Sequence, residues 1–311
     1  MLLAEVVRSG MVEGGHYGHA VIVAADGSVV RAWGDPSTVV YPRSSNKPVQ
    51  ATAMVRAGLD LPTAQLALAG ASHSAEQMHL EGVRAVLAGA GLDTEALQTP
   101  ADFPLDPVER DAWVAAGLSA APIAMNCSGK HAAMLATCVG QGWSLTDYLD
   151  LEHPLQQAIV SELGAASGEP VAHIGIDGCG APVLALSLAG LARSVSSLVQ
   201  AAPGDPGRRV ADAMRAHPEM VGGSRREVTA LMRAVPGLLA KDGADGVYVG
   251  ALADGRAFAV KVLDGGERGR TVAMAAVLSA MGCAAEVAPW LSIDVLGHGE
   301  PVGQVRSPLE A

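Results

Sequence analysis

Arg43-Ser44-Ser45-Asn46-Lys47-Pro48-Val49-Gln50-Ala51 carries a structural and a chemical signal at once. Proline is tolerated in the first turn of a helix and not deeper. A helix therefore begins close to Ser44 and continues through the run Val49 to Leu59. Three residues apart, Ser44 and Lys47 then share one helix face. A serine so placed can pass its proton to a lysine that burial or a second cation keeps neutral. The same letters also describe a helix cap followed by a solvated lysine, and so short a motif arises by chance in many chains. Its meaning depends on what else is set beside it.

Working outward, His19 to Ala24 and Val29 to Trp33 flank Ala25-Asp26-Gly27-Ser28, a good hairpin turn. Helices are expected over Thr63 to Ala69 and from near Ser74, where Ser74-Ala75-Glu76-Gln77 matches a capping box. That motif gives Ser74 a structural task and leaves Ser72 without one. Residues 98–122, rich in Pro and Asp, form a long connection of the kind that covers a site. Two similar units follow. In the first, Ile123 to Asn126 leads through a loop at Cys127 to Gly129 into a helix over His131 to Val139. In the second, a strand Val171 to Ile176 and a tight turn Asp177 to Gly180 lead into a helix over Ala181 to Arg193. Pro203 to Pro218 reads as linker and short helix. Val247 to Leu252 and Ala257 to Leu263 form a second hairpin, and Thr271 to Met281 a final helix. Hairpins at both ends with helices between predict an α+β fold over residues 1–311, a single domain that admits two lobes, with both hairpins in one antiparallel sheet.

Half of the residues are hydrophobic, only 3% are aromatic, and the formal net charge is −11. That charge excludes partners that need basic surfaces, nucleic acid and anionic membranes among them. Arg208-Arg209 and Arg225-Arg226 read as solvated helix faces. No stretch has signal-peptide or membrane-span character. Four cysteines are too few for a disulfide framework in 311 residues, which points to a reducing, cytoplasmic setting.

Lys241, in a Lys-x-Gly ahead of a strand, gives the order Ser-x-x-Lys then Lys-x-Gly that serine β-lactamases and penicillin-binding proteins share. Lys261 is its rival, although strand alternation suits Lys261 to a surface position. Cys127 and Cys179, on separate turns, could bind Zn²⁺ with Lys130, His131 or Asp177 nearby, but without a Cys-x-x-Cys pair the spacing is a weak signal. Cys138 and Cys283 lie in apolar helical runs and read as buried and inert. His16 and His19 read as structural.

Together these strings resemble the bacterial L-asparaginase II family of rhizobial type. The resemblance rests on Val12-Glu13-x-x-His16, Arg43 to Ala51 and Ala71-Ser72-His73-Ser74. It continues through Asn126-Cys127-Ser128-Gly129-Lys130-His131, Asp177-Gly178-Cys179-Gly180-Ala181-Pro182 and Lys241-x-Gly243-Ala244-Asp245-Gly246. It implies a fold like that of serine β-lactamases and penicillin-binding proteins, an antiparallel sheet flanked by helices, and a homodimer. It also implies two serine–lysine pairs, Ser44 with Lys47 and Ser72 with Lys241, and a zinc held by Cys127, Lys130 and Cys179.

On this reading L-asparagine is hydrolysed to L-aspartate and ammonia through an acyl-enzyme. Ser44 is the nucleophile and Lys47 its base, while Ser72 and Lys241 relay a proton to the leaving ammonia. Arg43 would pair with the substrate carboxylate and Asp177 with its ammonium, with His131 close by. The rivals are a serine–lysine amidase or peptidase acting on glutamine or another amide, and a non-catalytic zinc-binding protein.

Overall fold

A computed structural model describes residues 1–309. Strands β1 (Leu2–Arg8), β2 (Met11–Val23) and β3 (Val29–Trp33) open the chain, followed by the two-residue β4 (Val39–Val40). The helical part begins with α1 (Lys47–Arg56), α2 (Thr63–Ala69), α3 (Gln77–Gly89) and α4 (Pro107–Ala115). It continues with α5 (Ser128–Gln141) and α6 (Pro154–Ser167). After β5 (His173–Ile176) and β6 (Pro182–Ser187) come α7 (Leu188–Gln200), α8 (Pro206–Ala216), α9 (Pro218–Gly222) and α10 (Glu227–Ala234). The chain returns to sheet in β7 (Leu239–Asp242), β8 (Val247–Ala251) and β9 (Ala257–Val262). Helix α11 (Glu267–Leu278) and the hairpin β10 (Ser292–Gly297) and β11 (Glu300–Arg306) follow.

Both expected hairpins do meet in one antiparallel sheet. Its order is β10-β11-β1-β2-β9-β8-β7, with β3 also on β2. The long β2 serves two partners in succession: Leu2 to Arg8 lie opposite Tyr17 to Met11, and Gly18 to Val23 opposite Val262 to Ala257. Every residue of β8 is buried, so the sheet centre is covered on both faces. Helices α7 and α11 pack on it. The arrangement is α+β, as composition and pattern predict. A second sheet, β4-β6-β5, stands apart.

Two local expectations fail. Ala181 to Arg193 is not one helix: Pro182 to Ala185 pair with β5 and Leu186 and Ser187 with β4, and the helix begins at Leu188 behind a Ser187 cap whose Oγ accepts from the Gly190 N–H at 2.9 Å. A short, fully buried apolar run has no periodicity by which to tell strand from helix. The Ser74 capping box is also absent. Glu76 occupies the N-cap of α3, and the Ser74 hydroxyl instead donates to the Gly222 carbonyl at 2.6 Å. The second unit of the sequence thus differs from the first, and the Ser72 loop is tied down by long-range bonds rather than by its own helix.

Candidate active site

A single 3-10 turn, Arg43–Asn46, precedes α1. Ser44 therefore sits one tight turn ahead of the helix, with Pro48 at the position helices tolerate. Helix α1 is central: every residue from Lys47 to Val55 is buried. Arg43 has φ of 52°, a left-handed conformation that a non-glycine residue adopts only under tertiary constraint. The constraint is visible in its guanidinium, which donates to Asp177 Oδ1 at 2.8 Å and to Asp245. Close approach from the other side fixes the turn as well. A Cβ on Gly243 would lie 2.7 Å from the Pro42 carbonyl oxygen and 3.3 Å from the Ser45 nitrogen. Only glycine lets the end of β7 lie against the Ser44 turn.

Ser44 and Ser72 open onto the same cavity, of about 690 Å³. Pro100 to Asp102 and Leu105 to Pro107 line its other side, so the 98–122 connection does border this cavity, and α4 lies within it. Beneath lies Lys47, 1% exposed, whose Nζ donates to the Ala71 carbonyl at 2.7 Å and lies 3.0 Å from Ser72 Oγ. The hydroxyl bonded to Lys47 is thus Ser72 rather than Ser44. Ser72 is itself held by its N–H to the Val221 carbonyl at 3.1 Å.

The residue after it, His73, is completely buried and locked neutral. Its Nδ1 accepts from the Ala75 N–H at 3.1 Å, and its Nε2 faces Ser128 Oγ at 2.8 Å. Because Ser128 donates to the Ile123 carbonyl, the imidazole must be the donor to Ser128. Burial, then His79, Lys47 and Arg226, hold its pKa well below the usual value. Its task is to fasten the Ser72 loop to the start of α5.

Lys241 is fully buried on β7, and its Nζ donates to the carbonyl and Oδ1 of Asp242 at 2.7 and 2.5 Å. Burial lowers its pKa most; Asp242 opposes, while Lys47 and Arg226 reinforce, and the result is about 7. Lys261, the rival, is half-buried on β9 and donates to the Asp245 carbonyl. Of the two, Lys241 and not Lys261 lies within reach of the Lys47 charge, the crowding that favours a neutral lysine base.

The cysteine turns also converge. Cys127 heads α5, Cys179 ends the β5 turn, and both line the cavity. Lys130 Nζ lies 3.2 Å from Cys179 Sγ. The neighbouring Cys127 is the main influence that pulls the Cys179 pKa down, with Lys130 and His131 assisting; Cys179 and burial push Cys127 up. Burial alone would discharge Lys130, but the two sulfurs outweigh it and its pKa rises. Among the described residues no three His, Cys, Asp or Glu side chains converge as a metal cluster. The donors on offer are two buried sulfurs and one amine, beside an orphaned His131 Nε2 and open to the cavity. Offered to a metal, this would be a soft, three-donor set with one open side, and Lys130 would have to give up its proton to join it.

Other placements differ from expectation. His131 is fully buried, bonded through Nδ1 to Tyr148 Oη at 2.8 Å, and does not line the cavity. Burial lowers its pKa to about 4. Arg43 and Asp177 do line the cavity but are paired with each other. Arg225-Arg226 is only half a solvated face: Arg225 is exposed, and Arg226 is not. Arg225 pairs with Asp106 and Glu109 of the 98–122 connection, at 2.8 and 2.6 Å. Arg226 reaches inward to the Ser72 carbonyl and the Asp242 carboxylate. No local pattern marks an arginine whose partners lie 154 and 16 residues away.

Buried amines beneath two cavity-lining hydroxyls are an arrangement suited to acyl transfer. Residues 4–307 match the family described as L-asparaginase II, and the chain belongs to that family. No curated protein matches the chain by sequence. Among solved structures, the native form of Mglu is 15% identical with a TM-score of 0.46, covering 87% of this chain and 62% of its own. The chain thus spans somewhat under two thirds of that structure's length. A beta-lactamase from Mycobacterium bovis is 16% identical with a TM-score of 0.42, covering 87% and 95%. EstCE1, a hydrolase with promiscuous acyltransferase activity, is 13% identical with a TM-score of 0.36, covering 84% and 87%. Family membership, and not these likenesses, is what the comparisons show of this chain. Among the described residues no helix is long and apolar enough to cross a membrane.

Proposed function

We propose that this chain is an amidohydrolase that converts L-asparagine and water to L-aspartate and ammonia through a serine acyl-enzyme. The observation that carries the reading, beside family membership, is the buried Lys47 amine against Ser72 Oγ beneath the cavity that Ser44 also lines. Ser44 Oγ attacks the side-chain amide carbon, and its proton passes to the Lys47 amine one turn away. The electropositive start of the Ser44 turn and α1 is where oxyanion charge is best carried. As the C–N bond breaks, Ser72 and Lys241 relay the proton now on Lys47 to the leaving nitrogen, which returns Lys47 to its amine form. Water then cleaves the ester, giving its hydroxyl to the acyl carbon and its proton through the lysine amine to Ser44 Oγ. The substrate carboxylate is assigned to Arg43 and its ammonium to Asp177. Asp245, with its side chain 62% exposed, is the Arg43 partner that gives way.

Cys127, Cys179 and Lys130 would hold Zn²⁺, which when bound supplies a fixed positive charge beside the substrate's polar end. Action as a homodimer is part of the same proposal, checked by light scattering.

One bond favours a second reading. Lys47 touches Ser72, so Ser72 could attack with Lys47 as its base. Ammonia release from L-asparagine, L-glutamine and a β-lactam reporter defines the substrate, and mass mapping of the trapped acyl group separates the serines. Ester on Ser44 supports the first reading, and ester on Ser72 the second. Ammonia release surviving in both Ser44→Ala and Ser72→Ala refutes the mechanism.

A further inference from the structure

Arg226 stands at the head of α10, 21% exposed, with its guanidinium turned into the protein. One Nη donates to the backbone carbonyl of Ser72, the other to Asp242 Oδ2. Asp242 divides its carboxylate, with Oδ2 to Arg226 and Oδ1 to Lys241 at 2.5 Å. A single planar side chain therefore joins the loop of one site serine to the strand of the second lysine. Such a fork sets two acceptors at a fixed spacing, which an ammonium does not do.

Resting on the serine–lysine reading, we infer that Arg226 is a positioning residue. It holds Ser72 and Lys241 in one frame, and by engaging Asp242 it prevents that carboxylate from becoming the full counter-ion of Lys241. Charge accounting around Lys241 supports this. Asp242 faces it from its own strand, Lys47 from α1 and Arg226 from the head of α10. Asp242 in turn is faced by Arg270 of α11, Glu227 of α10 and Tyr248 of β8. Arg270 Nη1 donates to the Gly243 carbonyl at 3.1 Å, not to the carboxylate. With Arg226 gone, Asp242 keeps one close cationic partner, Lys241, and a buried carboxylate with one partner holds that partner charged. A lysine so held neither accepts nor relays protons at neutral pH.

The test is kcat and KM for ammonia release from L-asparagine as a function of pH in the full-length protein. Wild type, Arg226→Gln, Arg226→Lys and Asp242→Asn are compared, with Ser44→Ala and Ser72→Ala as the references for the underlying reading. Arg226→Gln is expected to move the ascending limb of kcat to higher pH by about one unit, a tenfold loss below it, with KM changing much less. Arg226→Lys keeps the charge without the fork, so the limb returns toward wild type while kcat stays low. Asp242→Asn moves the limb the other way, to lower pH, and serves if Arg226→Gln does not fold. An arginine that only props the fold would lower activity equally at all pH values. If Ser44→Ala abolishes ammonia release and the limb does not move in Arg226→Gln or Asp242→Asn, the inference about Arg226 falls alone. If Ser44→Ala and Ser72→Ala are both fully active, the serine–lysine reading beneath it falls first.

Discussion

Replacing Lys241 with methionine should make the protein more stable at neutral pH while destroying its activity. Methionine retains most of the buried volume, and Asp242 keeps Arg226 as its partner. The lysine's pKa falls from 10.5 to about 7 on folding, chiefly through burial. The unfolded chain therefore binds more protons than the folded one between those two values, and wild-type stability must rise with pH across that window. At about 1.4 kcal/mol per pH unit the full span is about 5 kcal/mol, present as a penalty below pH 7 and gone above pH 10.5. The variant has no such group and lacks this rise. Urea denaturation of both proteins at about pH 6 to 10 checks it: the variant leads at the acid end, and its lead shrinks as the pH rises. Two stability curves that run parallel within about 1 kcal/mol over that range would refute the argument, since Lys241 would then carry no folded-state penalty.

Gly243→Ala should fold but lose kcat tenfold or more, because its Cβ would meet the Pro42 carbonyl at 2.7 Å and drive β7 from the Ser44 turn; steady-state kinetics and a lower Tm check this. Asp106→Ala removes the α4 N-cap and the Arg225 pair together, so limited proteolysis should cut residues 98–122 faster and KM should rise more than kcat falls. The lost cap alone is worth about 1 kcal/mol of stability. Cys127→Ser and Cys179→Ser should each abolish stoichiometric zinc uptake in elemental analysis, whereas Cys138→Ser should bind as wild type does.

The parts of this fold that local residues mark were legible in the chain. Turn residues marked both major hairpins, and Pro48 placed the helix behind Ser44. Helix α2 was read to its ends. What was not legible depended on partners far away. Pro182 to Leu186 carry no polar residue to mark which faces are buried, so only pairing with β5 and β4 makes them a strand. Ser74 has the letters of a capping box but is drawn off to Gly222. The hairpin β10–β11 passed unseen because half of its residues are exposed and its alternation is broken by a register shift at Val295 and Leu296. At the site, residue types were readable from motif strings, whereas the pairing of Lys47 with Ser72 and the inward turn of Arg226 are set by crossings between segments. An ion pair between residues 16 positions apart leaves no periodic trace.

Strand β1 lies between β2, its immediate successor, and β11, close to 300 residues later. On a ribosome, then, β1 can pair on one edge within moments of emerging and must keep the other edge bare until Glu300–Arg306 are made. Throughout synthesis that edge offers a row of unsatisfied amides and carbonyls to any strand nearby, including those of neighbouring nascent copies. A messenger cut short before residue 300 would thus release a chain with its catalytic segments present and its first strand unsheltered, a product for the quality-control machinery and not a slower enzyme.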